Sequence, residues 1–378
     1  MGELDLSHNE LVFVGNIQHL SALSQLDLSS NRLETVSTPS PLTKLRALRV
    51  SDNRLRSLNV GLLPALTLLY ADQNCLSTIL GLDQSRVLEV LSVREQEIPD
   101  GESLDLDLGL LKDIRKVFLS SNKLSPQTLS PSAPLLSLQL LDVATCSLKA
   151  LPMDFATKFP NVRVLNLNFN SLEGVNELLG MNCLSRLTVA GNSISRLRRL
   201  CQVLSRIGRT SKSNTCTLQK VDIRHNPLTV RFYPPALTGS GKPQPQKLIS
   251  NEGRRSGHSH GLDLDLPLME QLEREGQLLQ VNGEDGEDTT HADPEIDDPY
   301  TLPPADLLLD QKHLAHLDQA TRLKRRVFEL MLYAGTGGAI KVLDGLDFRP
   351  VLEPGSDMNQ AWARLERLGV LKKKAITG

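Results

Sequence analysis

The eight residues Leu4 to Leu11, LDLSHNEL, recur down the chain with a fixed internal spacing. Two apolar slots lie two residues apart, an amide slot follows three residues after the second, and a further apolar slot lies two beyond it. The same slots are filled by Leu26, Leu28, Asn31 and Leu33, and by Leu48, Val50, Asn53 and Leu55. They continue through Leu69, Ala71, Asn74, Leu76; Leu91, Val93, Gln96, Ile98; Val117, Leu119, Asn122, Leu124; and Leu141, Val143, Cys146, Leu148. Leu165, Leu167, Asn170, Leu172; Leu187, Val189, Asn192, Ile194; and Val221, Ile223, Asn226, Leu228 complete ten copies. Neighbouring copies are 21 to 26 residues apart, except for a final gap of 34. A unit this short cannot bury its own apolar face, so the copies must stack on one another.

This is the leucine-rich-repeat signature. It predicts an α/β solenoid, a horseshoe of about ten short repeats with a parallel β-sheet on its concave face and a helical carboxyl-terminal cap. Each L-x-L segment reads as a short strand whose leucines point inward while the residues between them point outward. The asparagine turns the chain, and its amide can satisfy backbone groups of adjacent coils. Cys146 fits that slot as a known variant, whereas Gln96 predicts a local distortion. Repeats near 22 residues leave room only for extended or single-turn helical returns. The longer last gap holds SRLRRLCQVLSRIG, in which Leu197, Leu200, Leu204 and Ile207 have helical spacing, and a true helix is expected there.

The first copy begins in mid-pattern with no segment to cover its flank. The expectation is that the chain is the carboxyl-terminal part of a longer protein, with an unusual cap on the first repeat as the alternative. The repeats are assigned to residues 1–233. Residues 234–304, rich in Pro, Gly and charge, read as a disordered insertion that contains the acidic run VNGEDGEDTTHADPEIDDP. Within it, LPLMEQLEREGQLLQV is compatible with a short docking helix or a transient one. Residues 305–378 read as the cap. Leu323, Val327, Leu330 and Met331 share one helical face, Ile340, Val342 and Leu343 form a last strand and turn, and Met358, Trp362 and Leu365 mark a final helix capped by Ser356 or Asp357.

The net charge of -2 exerts no general pull toward nucleic acid or membrane, and neither is expected as a partner. No signal peptide is evident, and no apolar run approaches membrane-spanning length. Five cysteines without a C-x-x-C pair fit a reducing compartment better than a disulfide framework.

No catalytic constellation, metal site or cofactor is expected. His258 and His260 sit in low-complexity sequence without cysteine and read as solvated linker. GTGGAIK, from Gly335 to Lys341, lacks the order of a phosphate loop and reads as a helix-to-strand turn. LDLDLGLL, Leu104 to Leu111, reads as a convex turn and not as a carboxylate pair.

Binding surfaces carry more signal. On the concave face Tyr70, Phe118 and Phe169 lie beside Arg49 and Arg94, with Asn168 and Arg224 further along. Aromatics and arginine dominate interface hot spots, so these seven are the candidate protein-binding residues. The bland alternative is an inert sheet face. A second surface gathers Arg196, Arg198, Arg199, Arg206, Arg209 and Lys212 without an intervening acid, and suits a phosphorylated or acidic segment. A solvated helix face and intramolecular pairing with the acidic run are its other readings.

Three blocks go beyond generic repeats: VDIRHNPLTVRFYPP (Val221 to Pro235), LDQATRLKRRVFELML (Leu317 to Leu332) and IKVLDGLDF (Ile340 to Phe348). Together they resemble the leucine-rich-repeat region of the fungal spindle-pole-body scaffolds of the mitotic exit and septation initiation networks, with centriolin of the animal centrosome more distant. The resemblance implies a non-enzymatic scaffold in the cytoplasm, on the cytoskeleton at the spindle pole body. Its implied partners are proteins: a spindle-pole anchor, a GTPase-activating complex and mitotic kinases. VLDGL is also shared with short-repeat proteins such as the regulatory subunit of protein phosphatase 1, which leaves phosphatase targeting as the alternative function.

Overall fold

The computed structural model describes residues 2–15, 17–36, 40–209, 216–234, 300–349 and 355–368. They all belong to one compact unit. Most of the expected insertion, the short helix within it, His258, His260 and Lys212 lie outside the described residues.

The ten sequence copies become ten strands in one parallel sheet: β1 (Glu3–Asp5), β2 (Gln25–Asp27), β3 (Ala47–Arg49), β4 (Leu68–Tyr70), β5 (Val90–Ser92), β6 (Lys116–Phe118), β7 (Leu140–Asp142), β8 (Val164–Asn166), β9 (Arg186–Thr188) and β10 (Lys220–Asp222). Register follows the leucine slots. Leu4 pairs with Leu26, Leu26 with Leu48 and Leu48 with Leu69, down to Leu187 with Val221. Coil-to-coil bonds continue past each strand into the turn, as when the Leu6 and His8 amides donate to the Asp27 and Ser29 carbonyls at 2.8 and 2.9 Å. The two inward slots of successive coils form one apolar column, from Leu26, Leu28, Leu48 and Val50 through Leu165 and Leu167 to Val221 and Ile223, all essentially without solvent contact. The molecule is a leucine-rich-repeat solenoid.

The turn after each strand is built in the same way ten times. The residue before the amide slot adopts a left-handed conformation with φ between 51° and 66°, at His8, Ser30, Asp52, Gln73, Glu95, Ser121, Thr145, Phe169, Gly191 and His225. That conformation is costly for nine of these residues, because only Gly191 lacks a side-chain penalty. The amide ladder offsets it. Asn53 donates to the carbonyls of Leu28 in the previous coil and Val50 in its own at 2.9 and 3.2 Å, while its oxygen accepts the Leu33 amide at 2.9 Å. Asn74, Asn122, Asn170, Asn192 and Asn226 repeat the arrangement. Cys146 substitutes a thiol, donating to the Leu119 and Ala144 carbonyls at 3.3 Å, and burial pushes that thiol up to about 12.

The distortion expected at Gln96 is small. Its longer side chain still donates to Ala71 of the previous coil at 3.0 Å and accepts the Leu76 amide. The adjustment falls on the next coil, where Asn122 accepts from the Gln96 amide itself at 2.9 Å and not from a residue two further on.

Returns on the outer side are short, as the repeat length requires. They comprise single 3-10 turns at Ile17–His19, Leu82–Gln84, Leu108–Leu110 and Asn176–Leu178, and a strand pair at Leu58–Asn59 and Ile79–Leu80. One-turn helices follow at α1 (Pro126–Leu129) and α2 (Phe155–Lys158). Leu104, Leu106, Leu108 and Leu111 of LDLDLGLL are buried in such a return. The longer gap holds α3 (Leu197–Leu204), which buries Leu200, Cys201, Val203 and Leu204.

The carboxyl-terminal end is closed by α4 (Leu307–His316), α5 (Gln319–Thr336), β11 (Val342–Leu343), β12 (Leu346–Asp347) and α6 (Asp357–Arg367). β11 adds to β10 in parallel, and β12 then folds back antiparallel, so the sheet departs from a fully parallel arrangement at its last strand. The cause is Asp344-Gly345: both residues have positive φ, at 55° and 81°, which reverses the chain before another coil can form. GTGGAIK is indeed a helix-to-strand turn, with Gly337 ending α5 at φ 66°. Ser356 caps α6 by accepting the Asn359 amide at 3.2 Å.

Candidate functional site

Strand alternation presents one row of side chains from between the leucine slots and a second row just beyond them. In the first row Arg49 lies over the Tyr70 ring, 5.7 Å from its centroid. Arg94, in the second row, lies 4.5 Å from the Phe118 centroid and 3.5 Å from an Asp142 carboxylate oxygen. Asp72 fixes the base of this group by accepting from the Arg94 amide and the Ser92 hydroxyl, each at 2.7 Å, and burial raises its pKa. Ser120 donates to Asp142 in turn. The centre of the face is therefore an aromatic-guanidinium pair held by a carboxylate and hydroxyl network.

Four of the candidate residues, Arg49, Tyr70, Arg94 and Phe118, are half-buried on this face, within coils three to six. Asn168 is fully buried. Phe169 occupies a left-handed turn position, and its ring lies against Gly191, where an added Cβ would come within 2.5 Å of it. Arg224 is folded onto Asp222, with its Nη2 at 2.6 Å from Oδ2.

Sequence reasoning missed what covers the middle of the face. Of residues 300–304, placed by the sequence in the insertion, Tyr300 and Leu302 bond to the concave face. The Tyr300 hydroxyl donates to Glu95, and its ring lies 5.5 Å from the Arg94 guanidinium carbon. Its carbonyl accepts from Asn168 Nδ2 at 3.0 Å and from Asn166 Nδ2 at 3.4 Å. Arg224 Nη2 donates to the Leu302 carbonyl at 3.3 Å. Burial, and then Glu95, raise the Tyr300 pKa. The one available signal was a lone aromatic, followed by Pro303-Pro304, directly after an acidic run.

The basic cluster divides. Arg196, Arg198, Arg199 and Arg206 are exposed on and around α3. Arg196 and Arg199 line a shallow groove with Lys149, Glu173 and Glu177, and Arg199 donates to Asn176 at 3.0 Å. Arg209 turns inward, where its Nη2 donates to the Gly335 carbonyl at 2.8 Å and ties α3 to α5. Among the described residues no group of three or more His, Cys, Asp and Glu side chains is placed to hold a metal ion.

Residues 137–194 match the leucine-rich-repeat family model. A stretch of 177 residues, 47% of this chain, is 32% identical to the septation initiation network scaffold protein cdc11 of Schizosaccharomyces pombe. The match spans only 16% of that protein's length. Among solved structures, the Arabidopsis receptor kinase HAESA shares 24% identity over 59% of this chain and 38% of its own, with a TM-score of 0.44. An internalin from Listeria monocytogenes shares 18% over 60% of this chain and 68% of its own, with a TM-score of 0.42.

Proposed function

We propose that this chain is a non-enzymatic docking solenoid of a septation-network scaffold, which holds signalling proteins on its concave face at the spindle pole body. The observation that carries the docking surface is the pair of arginine-on-aromatic contacts, Arg49 on Tyr70 and Arg94 on Phe118, displayed on a rigid ladder of buried leucines. Such residues release the most binding free energy when a partner excludes water from them. The 32% likeness to the fission-yeast scaffold supports the network, and the partner classes that follow are a spindle-pole anchor, the GTPase-activating complex and mitotic kinases.

The test is affinity capture of purified candidates from these classes, followed by titration against the double variant Tyr70→Ala, Phe118→Ala. Both rings are half-buried, so the fold should persist, which circular dichroism can verify. Loss of two hot-spot side chains is expected to weaken the captured partner by about 2 kcal/mol or more, roughly thirtyfold. Unchanged affinity on an intact fold removes the concave face as the docking surface.

A further inference from the structure

The middle of the concave face is already occupied. Its polar groups bond a phenol and two main-chain carbonyls, and the segment that supplies them is the chain's own. The Tyr300 side chain is 6% exposed, with Arg94 near its ring and Glu95 accepting from its hydroxyl. Asn166 and Asn168 read its carbonyl with their amide groups, and Arg224 reads the Leu302 carbonyl two residues later. These groups recognise one phenol and two main-chain carbonyls, so they select an extended segment with a tyrosine and little else. They require an unmodified hydroxyl, because a phosphate there would meet the Glu95 carboxylate.

Two further observations mark the arrangement as a bound ligand on a pre-formed surface. The receiving groups are held independently of the tyrosine: the Asn168 oxygen accepts the Ala190 amide at 2.8 Å, the Asn166 oxygen accepts from Thr188 at 2.9 Å, and Arg224 is clamped by Asp222. The segment itself contributes one buried side chain before the chain leaves at Ala305, whose amide donates to the Gly345 carbonyl at 3.2 Å.

We propose that coils five to ten form a groove for an extended, unphosphorylated tyrosine-bearing segment, and that residues 300–304 fill it as an internal ligand with which a partner's segment must compete. This rests on the docking role proposed above and specifies how entry to that face is controlled. Tyr300 meets Arg94 and Glu95 of coil five and Asn166 and Asn168 of coil eight, whereas Arg49 and Tyr70 stand on coils three and four. A partner can therefore engage there first and then displace the tyrosine.

The experiment is an anisotropy titration of a labelled synthetic peptide of residues 296–306 against the full chain. A tethered segment competes at an effective concentration in the millimolar range, so opening the groove with Tyr300→Ala is expected to tighten peptide binding at least about tenfold over the unaltered chain. The same peptide phosphorylated on tyrosine is expected not to bind the opened chain. Tyr300→Glu, which sets a carboxylate against Glu95, serves as the opened chain should the alanine variant fold poorly. Equal affinity for the closed and opened chains, no binding to a folded opened chain, or equal binding of the phosphopeptide overturns the proposal. If the peptide fails while partner capture still depends on Phe118, the internal ligand is rejected and the docking face stands.

Discussion

Residues of the repeat divide into those that fill space and those that settle hydrogen bonds. The leucine columns are fungible, as Val50, Ala71 and Val93 in leucine slots show. The amide slot is not, because in the inner coils, as at Asn53, Asn74 and Asn192, the side chain serves buried backbone donors and acceptors of two coils. Cys146 survives there by supplying one weak donor and leaving the Asn170 oxygen to take the Cys146 and Leu148 amides, each at 3.0 Å. Asp344 is the most consequential departure, since it closes the sheet. Its carboxyl is fully buried, accepting the Ile223 amide at 2.6 Å and the Tyr233 hydroxyl at 2.5 Å. Burial, and then the Asp222 charge, push it up to about 7. An unfolded aspartate titrates near about 3.9, so the folded state holds this proton more tightly. The resulting stability is complete below the unfolded value and is lost as pH rises through the folded one. Asp344→Asn, which keeps an acceptor for Ile223, should abolish that decline. Each unit of upward displacement is worth about 1.4 kcal/mol, so the variant should gain on the unaltered chain between roughly pH 4 and 8. Denaturation curves across that range check it, and parallel curves for the two chains would sink the assignment.

At the scale of elements, α5 shows how a sequence pattern can be correct and incomplete. Its legible face, Leu323, Val327, Leu330 and Met331, packs on Met358, Ala361 and Leu365 of α6. The opposite face packs as well: Phe328 and Leu332 join the main core beside Phe232, whose ring centroid is 5.8 Å from that of Phe328. Arg325 is carried inside with them at 3% exposure. It is paired there with both oxygens of Asp310 at 2.9 and 2.7 Å, with Glu329 at 2.9 Å and with the Phe232 carbonyl at 2.8 Å, and its guanidinium carbon lies 4.5 Å from the Tyr233 centroid. A helix hydrophobic on one stripe and charged on the other reads as half-solvated, and only the docking of α4 reveals the partners. Removing Arg325 strands the buried Asp310 and takes one of two arginines from the buried Glu329, which keeps Arg326 at 2.6 Å. Arg325→Met should therefore destabilise the cap by about 3–5 kcal/mol, while adding Asp310→Leu and Glu329→Leu should recover most of the loss. Thermal melts of the two variants decide this, and a single variant as stable as the parent would show that the ion cluster contributes nothing.

Across the whole molecule, stability is mainly a chain of neighbour contacts, because each coil pairs its strand and packs its leucines on the adjacent coils. The cap supplies the last neighbour. β11 pairs with β10, α5 packs on α3, and Arg209 joins them through Gly335. A chain ended at residue 234 should accordingly lose hydrogen-exchange protection first in β10 and β9, while β2 to β6 keep theirs, and should self-associate through the exposed edge. Uniform loss of protection along all coils would mean that the solenoid melts as one unit, contrary to the neighbour picture.

The ten copies, their register and the sparse outer returns were all legible in one dimension. Strand alternation has period two, and the amide slot falls at a fixed offset, so local pattern and tertiary position coincide. The same alternation placed Arg49, Tyr70, Arg94 and Phe118 on the open face. What the tertiary structure alone decided involves partners far apart in the chain. Tyr300 reaches Glu95 across 205 residues, Arg325 reaches Phe232 across 93, and Tyr233 meets Asp344 across 111. Those contacts are single hydrogen bonds with no periodicity to announce them. Their free energy comes from desolvated hydrogen bonds and charge pairs that exist only once the coils have stacked.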